Sequence, residues 1–106
     1  MYKRQDPEHF EEAKALMRKM IPLARRDLGE GQRLTLKMRW NYARALYEDP
    51  AVTLDDLREA VTTLEDAERI ARRVFGGANP VTANIEQLLR LAQEALRARE
   101  TPSGEV

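Results

Sequence analysis

The chain has 106 residues, of which 42% are hydrophobic and 34% are charged, a composition typical of a folded, soluble protein. Its 18 Lys and Arg residues equal its 18 Asp and Glu residues, which argues against broad electrostatic binding of nucleic acid or of an anionic membrane. The absence of cysteine excludes disulfides and thiolate chemistry, and it fits a reducing, cytoplasmic location. No apolar run approaches the roughly 20 residues of a membrane span, and the first residues lack the apolar segment of a signal peptide.

The first predicted helix covers about residues 7–28. Asp6-Pro7 is a typical start, because Asp is a good N-cap and Pro is tolerated at the first helical position. Apolar residues then recur at helical spacing and predict one buried stripe. The stripe comprises Phe10, Ala13, Met17, Met20, Ile21, Ala24 and Leu28. The opposite, polar face carries Glu11, Lys14, Arg18 and Arg25. An internal proline costs roughly 3 kcal/mol, so we expect a kink or a break near Arg18 to Pro22.

The second predicted helix covers about residues 33–47 and is apolar on two sides, which is typical of a helix packed between two neighbours. One apolar row comprises Leu36, Trp40, Ala43 and Tyr47, and the other comprises Leu34, Met38, Tyr42, Ala45 and Leu46. The remaining positions are polar: Lys37, Arg39, Asn41 and Arg44.

Two further helices follow after short connections. Thr53-Leu54-Asp55-Asp56 is similar to a capping box and predicts a third helix over about residues 54–74. Asn79-Pro80 predicts the start of a fourth helix over about residues 80–98. Residues 100–106 are expected to form a mobile tail. No strand pattern competes, so we predict an all-α fold of four antiparallel helices in a single domain.

The two junctions that open the second and fourth helices repeat one pattern. Leu28-Gly29-Glu30-Gly31-Gln32-Arg33-Leu34-Thr35 returns in altered form, 47 positions later, as Phe75-Gly76-Gly77-Ala78-Asn79-Pro80-Val81-Thr82. At the same offset Phe10 matches Leu57, Ala13 matches Ala60, Met38 matches Ile85 and Ala45 matches Ala92. Gly29 and Gly76 are interpreted as helix stops. The chain therefore reads as about two stacked helix-turn-helix repeats, because one such pair cannot close a core alone.

These junctions resemble those of the tetratricopeptide repeats of the kinesin light chain type, which read roughly Leu-Gly-x-x-His-Pro-x-Thr. Asn41-Tyr42-Ala43 resembles the pattern of that family's first helices, and Glu12-Ala13 and Glu59-Ala60 resemble the opening of its second helices. The resemblance covers about residues 10–97, with Gln32 or Asn79 in place of the junction histidine and only Pro80 keeping the proline. It implies a groove for peptides, lined by the first helix of each pair.

Mapped onto this chain, the resemblance places five residues of the second helix on or near the groove: Lys37, Trp40, Asn41, Arg44 and Tyr47. Asn can hydrogen-bond a peptide backbone, Lys and Arg can meet acidic groups, and Tyr, Trp and Arg are enriched in binding hot spots. The alternative is that Trp40 and Tyr47 are core residues packed on neighbouring helices. Both interpretations stay open for Trp40, whereas Tyr42 and Leu46 are expected in the core.

No residue cluster indicates catalysis or metal binding. His9 is the only histidine and is interpreted as a surface residue. The acidic pairs Asp55-Asp56 and Glu65-Asp66 are interpreted as caps or solvated positions, because adjacent helical side chains point in different directions. Four arginines, Arg25, Arg26, Arg72 and Arg73, form either a basic ladder across stacked repeats or ordinary helix-end salt bridges.

We therefore predict a non-enzymatic protein–protein interaction module without cofactor or metal. It binds a protein or peptide partner on the face of the second helix, and it binds neither nucleic acid nor membrane. The alternative is a structural subunit that assembles with its own copies through the first and fourth helices, as a homodimer or a stacked array.

Overall fold

The computed structural model describes residues 7–100, with side chains described from Phe10 onward. It contains four α-helices and, in that part of the chain, no strand. They are α1 (Pro7–Asp27), α2 (Arg33–Glu48), α3 (Leu54–Phe75) and α4 (Pro80–Glu100). The all-α prediction is confirmed, and each predicted helix limit lies within two residues of the observed one. Glu100, the first residue of the predicted tail, belongs to α4, and the rest of that tail and the predicted cap Asp6 lie outside the described residues.

Side-chain caps begin α3 and α4 as the sequence predicts. The Oγ1 of Thr53 accepts the N–H of Asp56 at 3.0 Å, and the Asp56 carboxylate accepts the N–H of Thr53 at 3.4 Å. The Oδ1 of Asn79 accepts the N–H of Val81 at 2.8 Å. The start of α2 differs, because Gln32 has the extended backbone of an N-cap while its side chain caps no N–H group.

Two glycines with positive φ angles follow α1 and α3. Gly29 has a φ of 104° and Gly76 a φ of 90°. At Gly76 the ψ angle is 161°, a region that is essentially restricted to glycine, and its N–H still donates to the Arg72 carbonyl at 3.0 Å. Both glycines are therefore helix stops, as predicted.

The helices pack in chain order, α1 on α2, α2 on α3 and α3 on α4, and α2 also contacts α4. Short connections make consecutive helices antiparallel neighbours, and these contacts fit a stacked helix-turn-helix arrangement. The core is built mainly from α2 and α3, with a contribution from α4. Tyr42 and Leu46 are 4% and 0% exposed, so their predicted burial is confirmed.

Two expectations for α1 are wrong, the burial of Met20 and the burial of Leu28. The helix runs through Pro22 without a break, so the break expected there as an alternative to a kink is absent. Met20 and Leu28, assigned to the buried stripe, are 42% and 45% exposed. The reason is that α1 packs chiefly against one neighbour, α2, so only one arc of the helix is covered.

Two cations at positions identified as polar from the sequence are buried. Lys14 is 3% exposed and Arg39 is 5% exposed. Lys14 is covered because the connection between α2 and α3 brings Asp49 to its ammonium group. Arg39 is covered because α2 has neighbours on both flanks and keeps little free surface.

Candidate functional site

One side of α2 and one side of α4 line two cavities of about 220 and 250 Å³. Trp40 and Asn84 line both, so the cavities adjoin and form one depression, the α2–α4 groove. The α2 residues that line it are Arg33, Leu36, Lys37, Trp40, Arg44, Tyr47 and Glu48. The α4 residues are Pro80, Val81, Asn84, Ile85, Gln87, Leu88 and Leu91. Steps of three and four residues place each set on one helix face.

Trp40 lies at the centre of this groove. Its indole Nε1 donates to the backbone carbonyl of Asn84 at 3.2 Å, and the Arg44 guanidinium lies over its ring at 5.3 Å from the centroid. The ring is half-buried and also packs against the core. Trp40 is thus both a packing residue and part of the groove surface, held between two partners.

The groove has a positive local charge although the whole chain is balanced. Arg33, Lys37 and Arg44 line it, against the single carboxylate of Glu48. Arg44 pairs with Glu48 at 3.2 Å, and Arg33 lies over the Phe75 ring at 5.5 Å. Lys37 is exposed, and no acidic side chain among residues 10–100 pairs with it. Lys37 is therefore a cation available to a ligand.

The structure separates Asn41 from the other four predicted residues. Lys37, Trp40, Arg44 and Tyr47 line the groove, whereas Asn41 lines only a different cavity of about 130 Å³ between α1 and α2, which Arg44 also borders. One residue step turns a helix by about 100°, so Asn41 points away from its neighbour Trp40.

Sequence reasoning missed the α4 side of the groove. Asn84, Gln87 and Leu91 follow Lys37, Trp40 and Arg44 at the repeat offset of 47. This correspondence is the signal that could have identified them, because equivalent positions of stacked repeats lie on the same side of the stack.

Two polar clusters outside the groove hold the helices together. Lys14 Nζ lies 3.0 Å from Asp49 and 3.1 Å from Glu11. Burial opposes the charged ammonium, but hydrogen bonds to Asp49 and Glu11 outweigh it, and the pKa of Lys14 is raised. Burial likewise opposes the Asp49 carboxylate, but hydrogen bonds from the Ala51 N–H and Lys14 leave the pKa of Asp49 lowered.

The second cluster surrounds the Tyr42 hydroxyl. It donates to the carboxylate of Glu59 and accepts from Arg18 Nε at 2.8 Å. Burial and the hydrogen bond to Glu59 raise the pKa of Tyr42 to about 12. Nearby, burial lowers the pKa of Arg39, whose Nη2 lies 3.6 Å from Asp66 while its Nη1 has no hydrogen-bond partner. These groups join α1, α2 and α3.

Three of the four helix-end arginines form ion pairs within the chain. Arg25 contacts Glu30 at 3.0 Å, Arg26 contacts Asp27 at 3.1 Å, and Arg72 contacts Glu68 at 2.9 Å. These pairs favour the salt-bridge interpretation over a basic ladder. Within the described residues no group of three His, Asp or Glu side chains is placed to hold a metal ion. The side chain of His9 lies outside the described part.

Comparison of the chain with protein-family models, with curated proteins and with solved structures finds no match. The resemblance to tetratricopeptide repeats of the kinesin light chain type therefore stays a prediction. None of the helices between residues 7 and 100 combines the length and the apolar character needed to cross a bilayer.

Proposed function

We propose that the protein is a non-enzymatic interaction module, acting without a cofactor, that binds a segment of another protein in the α2–α4 groove. One observation carries the proposal. Lys37, Trp40, Arg44 and Tyr47 converge on one depression, where they face Asn84, Gln87 and Leu91 of α4. Trp, Tyr and Arg are the residue types that most often dominate binding energy.

The chemistry of the groove favours a segment in which an acidic residue lies beside an apolar one. The cavity of about 220 Å³ has Leu36, Val81 and Ile85 among its lining residues. A cavity of about 150 Å³ already holds benzene, so this one admits an aromatic or branched aliphatic side chain. Lys37 and Arg33 at the same cavity supply cations for a neighbouring carboxylate.

The rigidity of the site supports the same function. A side chain that is already fixed loses little conformational entropy when a ligand binds. Trp40 is fixed by its hydrogen bond to the Asn84 carbonyl and by the Arg44 guanidinium over its ring. The groove between α2 and α4 is therefore largely formed before a ligand arrives.

Selection from a random peptide display library tests the proposal, with Trp40 fluorescence as the binding signal because Trp40 is the only tryptophan. We expect enriched peptides with an acidic residue next to an apolar one. Lys37→Glu should lower the affinity for the selected peptide roughly tenfold or more, which corresponds to about 1.4 kcal/mol of binding free energy. Arg90→Glu makes the same charge change at an exposed α4 position outside the groove and is the matched control. Failure to enrich any binder, or equal affinity for both variants, would refute the proposal.

The alternative, a subunit that assembles with its own copies, is favoured by one observation. Leu16, Met20 and Leu23 are 56%, 42% and 44% exposed on α1. Sedimentation equilibrium decides between the two functions, since a chain that remains monomeric at high concentration cannot be a self-assembling subunit.

A further inference from the structure

The outer face of α1, formed by Leu16, Met20 and Leu23, is an apolar row that no other part of the described chain covers. The three residues are spaced by four and three positions, so they lie along one line of the helix. An exposed row of large apolar side chains on a soluble protein marks an interaction surface.

The internal repeat shows what covers the equivalent face of α3. At the repeat offset of 47, Leu16, Met20 and Leu23 correspond to Thr63, Ala67 and Ile70. Thr63 is half-buried, and Ala67 and Ile70 are 0% and 7% exposed.

The helix that covers this face of α3 is α2. The Tyr42 hydroxyl of α2 donates to Glu59, and the Arg39 guanidinium of α2 lies 3.6 Å from Asp66. Glu59, Asp66 and Ala67 lie on the same side of α3 as Thr63, because each is three or four residues from Thr63. The outer face of α1 is therefore the repeat equivalent of a surface that α2 occupies on α3.

The other end of the stack is different. The α2 row that meets the core and α4 consists of Leu36, Trp40, Ala43 and Tyr47. Its repeat equivalents on α4 are Ala83, Gln87, Arg90 and Glu94; all four are exposed, and Gln87 also lines the α2–α4 groove. A polar outer face is what a helix that terminates a stack requires. The stack is thus open at α1 and closed at α4.

We infer that the outer face of α1 is the docking site for one further amphipathic helix of the α2 type, running antiparallel to α1. Charge at this face specifies the occupant further. Glu12 is the equivalent of Glu59, so the docked helix presents a hydroxyl or a cation to it, as Tyr42 does to Glu59. At the position equivalent to Asp66, α1 has the cation Lys19. The docked helix therefore carries a carboxylate at the position where α2 has Arg39.

The chain itself supplies the probe. A second copy of residues 33–53 is placed directly ahead of Pro7. It then leads into α1 in the way that α2 and its connection lead into α3. The substitution Arg39→Glu is made in the added copy only. We expect amide exchange in α1 to slow at least tenfold. The control protein has the same added segment with four further substitutions in the added copy: Leu36→Ala, Trp40→Gln, Ala43→Arg and Tyr47→Glu. These are the residues that α4 carries at the equivalent positions. Equal exchange in the two proteins would overturn the inference.

Two further measurements keep the result specific. The double substitution Leu16→Glu and Leu23→Glu changes exposed positions only, so the fold should persist. The slowing of amide exchange in α1 by the added helix should be lost. If the slow exchange is retained, the added helix does not dock at this face. Sedimentation equilibrium of the unaltered chain should give a monomer. If the unaltered chain is instead a dimer and this double substitution dissociates it, the occupant of the face is a second copy of the chain. That result would overturn the inference of an α2-type helix. Peptide binding in the α2–α4 groove is measured separately, so either proposal can fail alone.

Discussion

Lys14 and Asp49, 35 positions apart in the sequence, form an ion pair of 3.0 Å with side chains that are only 4% and 3% exposed. The pair links α1 to the connection between α2 and α3. Such a pair is costly to break from one side, because the remaining charge is left buried without its partner.

Lys14→Met should therefore lower the free energy of unfolding by about 3–5 kcal/mol. Lys19→Met, which changes an exposed lysine of the same helix, should stay within about 0.5 kcal/mol. Urea denaturation measures both. Adding Asp49→Asn to Lys14→Met should recover part of the loss, since the amide still accepts the Ala51 N–H. Similar costs for Lys14→Met and Lys19→Met would show that the pair contributes nothing.

Acid should weaken the protein through Asp49. Its pKa is lowered in the folded state, so its contribution is present above the ordinary Asp value of about 4 and is lost as the pH falls through the lower folded value. The free energy of unfolding, measured by urea denaturation between pH 5 and pH 2, should decline less in Asp49→Asn than in the unaltered chain. Parallel curves for the two proteins would exclude this role.

Base should weaken the protein through Tyr42. Because its folded pKa is raised to about 12, its contribution is complete below about pH 10 and is lost as the pH rises towards 12. Two pKa units correspond to about 2–3 kcal/mol. Tyr42→Phe should flatten the alkaline decline of the unfolding free energy. The raised pKa of Lys14 acts in the same range in both proteins, so the difference between the curves isolates Tyr42. Equal alkaline slopes would count against this assignment.

The start of α2 can be improved by copying α4. Gln32 has an N-cap backbone (φ −71°, ψ 142°) but makes no side-chain cap, whereas Asn79 at the equivalent position caps α4. Gln32→Asn should raise the free energy of unfolding by about 0.5–1 kcal/mol. Gln32→Ala is the control and should be nearly neutral, because no cap is lost. Thermal denaturation that ranks the two variants equally would disprove the effect.

Gly76 should not tolerate a side chain. Open space surrounds it, yet its φ of 90° and ψ of 161° are essentially restricted to glycine, so Gly76→Ala should cost about 1–3 kcal/mol from backbone strain alone. Gly77→Ala meets only the flexible end of the Arg72 side chain and should cost less. Urea denaturation compares them, and a larger loss at Gly77 would reverse this expectation.

Helix limits were predictable because their signals are local. Thr53 with Asp56, Asn79 with Pro80, and the glycine stops act within a few residues of the positions that they determine. The burial of Lys14 was not predictable, because it depends on a carboxylate brought close by the packing of two other helices. The break considered at Pro22 does not occur for a related reason: the cost of the proline is local, but the packing of the whole helix on α2 exceeds it.

The candidate site was predictable on one side only. The apolar rows of α2 and the family resemblance identified Lys37, Trp40, Arg44 and Tyr47, which lie together in the structure. The same resemblance placed Asn41 with them, but helical rotation turns Asn41 about 100° from Trp40 and into a different cavity. Which residues of α4 line the groove depends on the angle between α2 and α4. The spacing of apolar residues within one helix carries no information about that angle.

The polar outer face of α4 suggests how the length of such an assembly is controlled. The two junctions keep the same glycine, at Gly29 and Gly76, and the same buried threonine, at Thr35 and Thr82. The α2 row that meets the core and α4 differs at all four side chains from the equivalent, exposed row of α4. A unit that continues a stack and a unit that terminates it therefore share one backbone design and differ in the side chains of a single helix row.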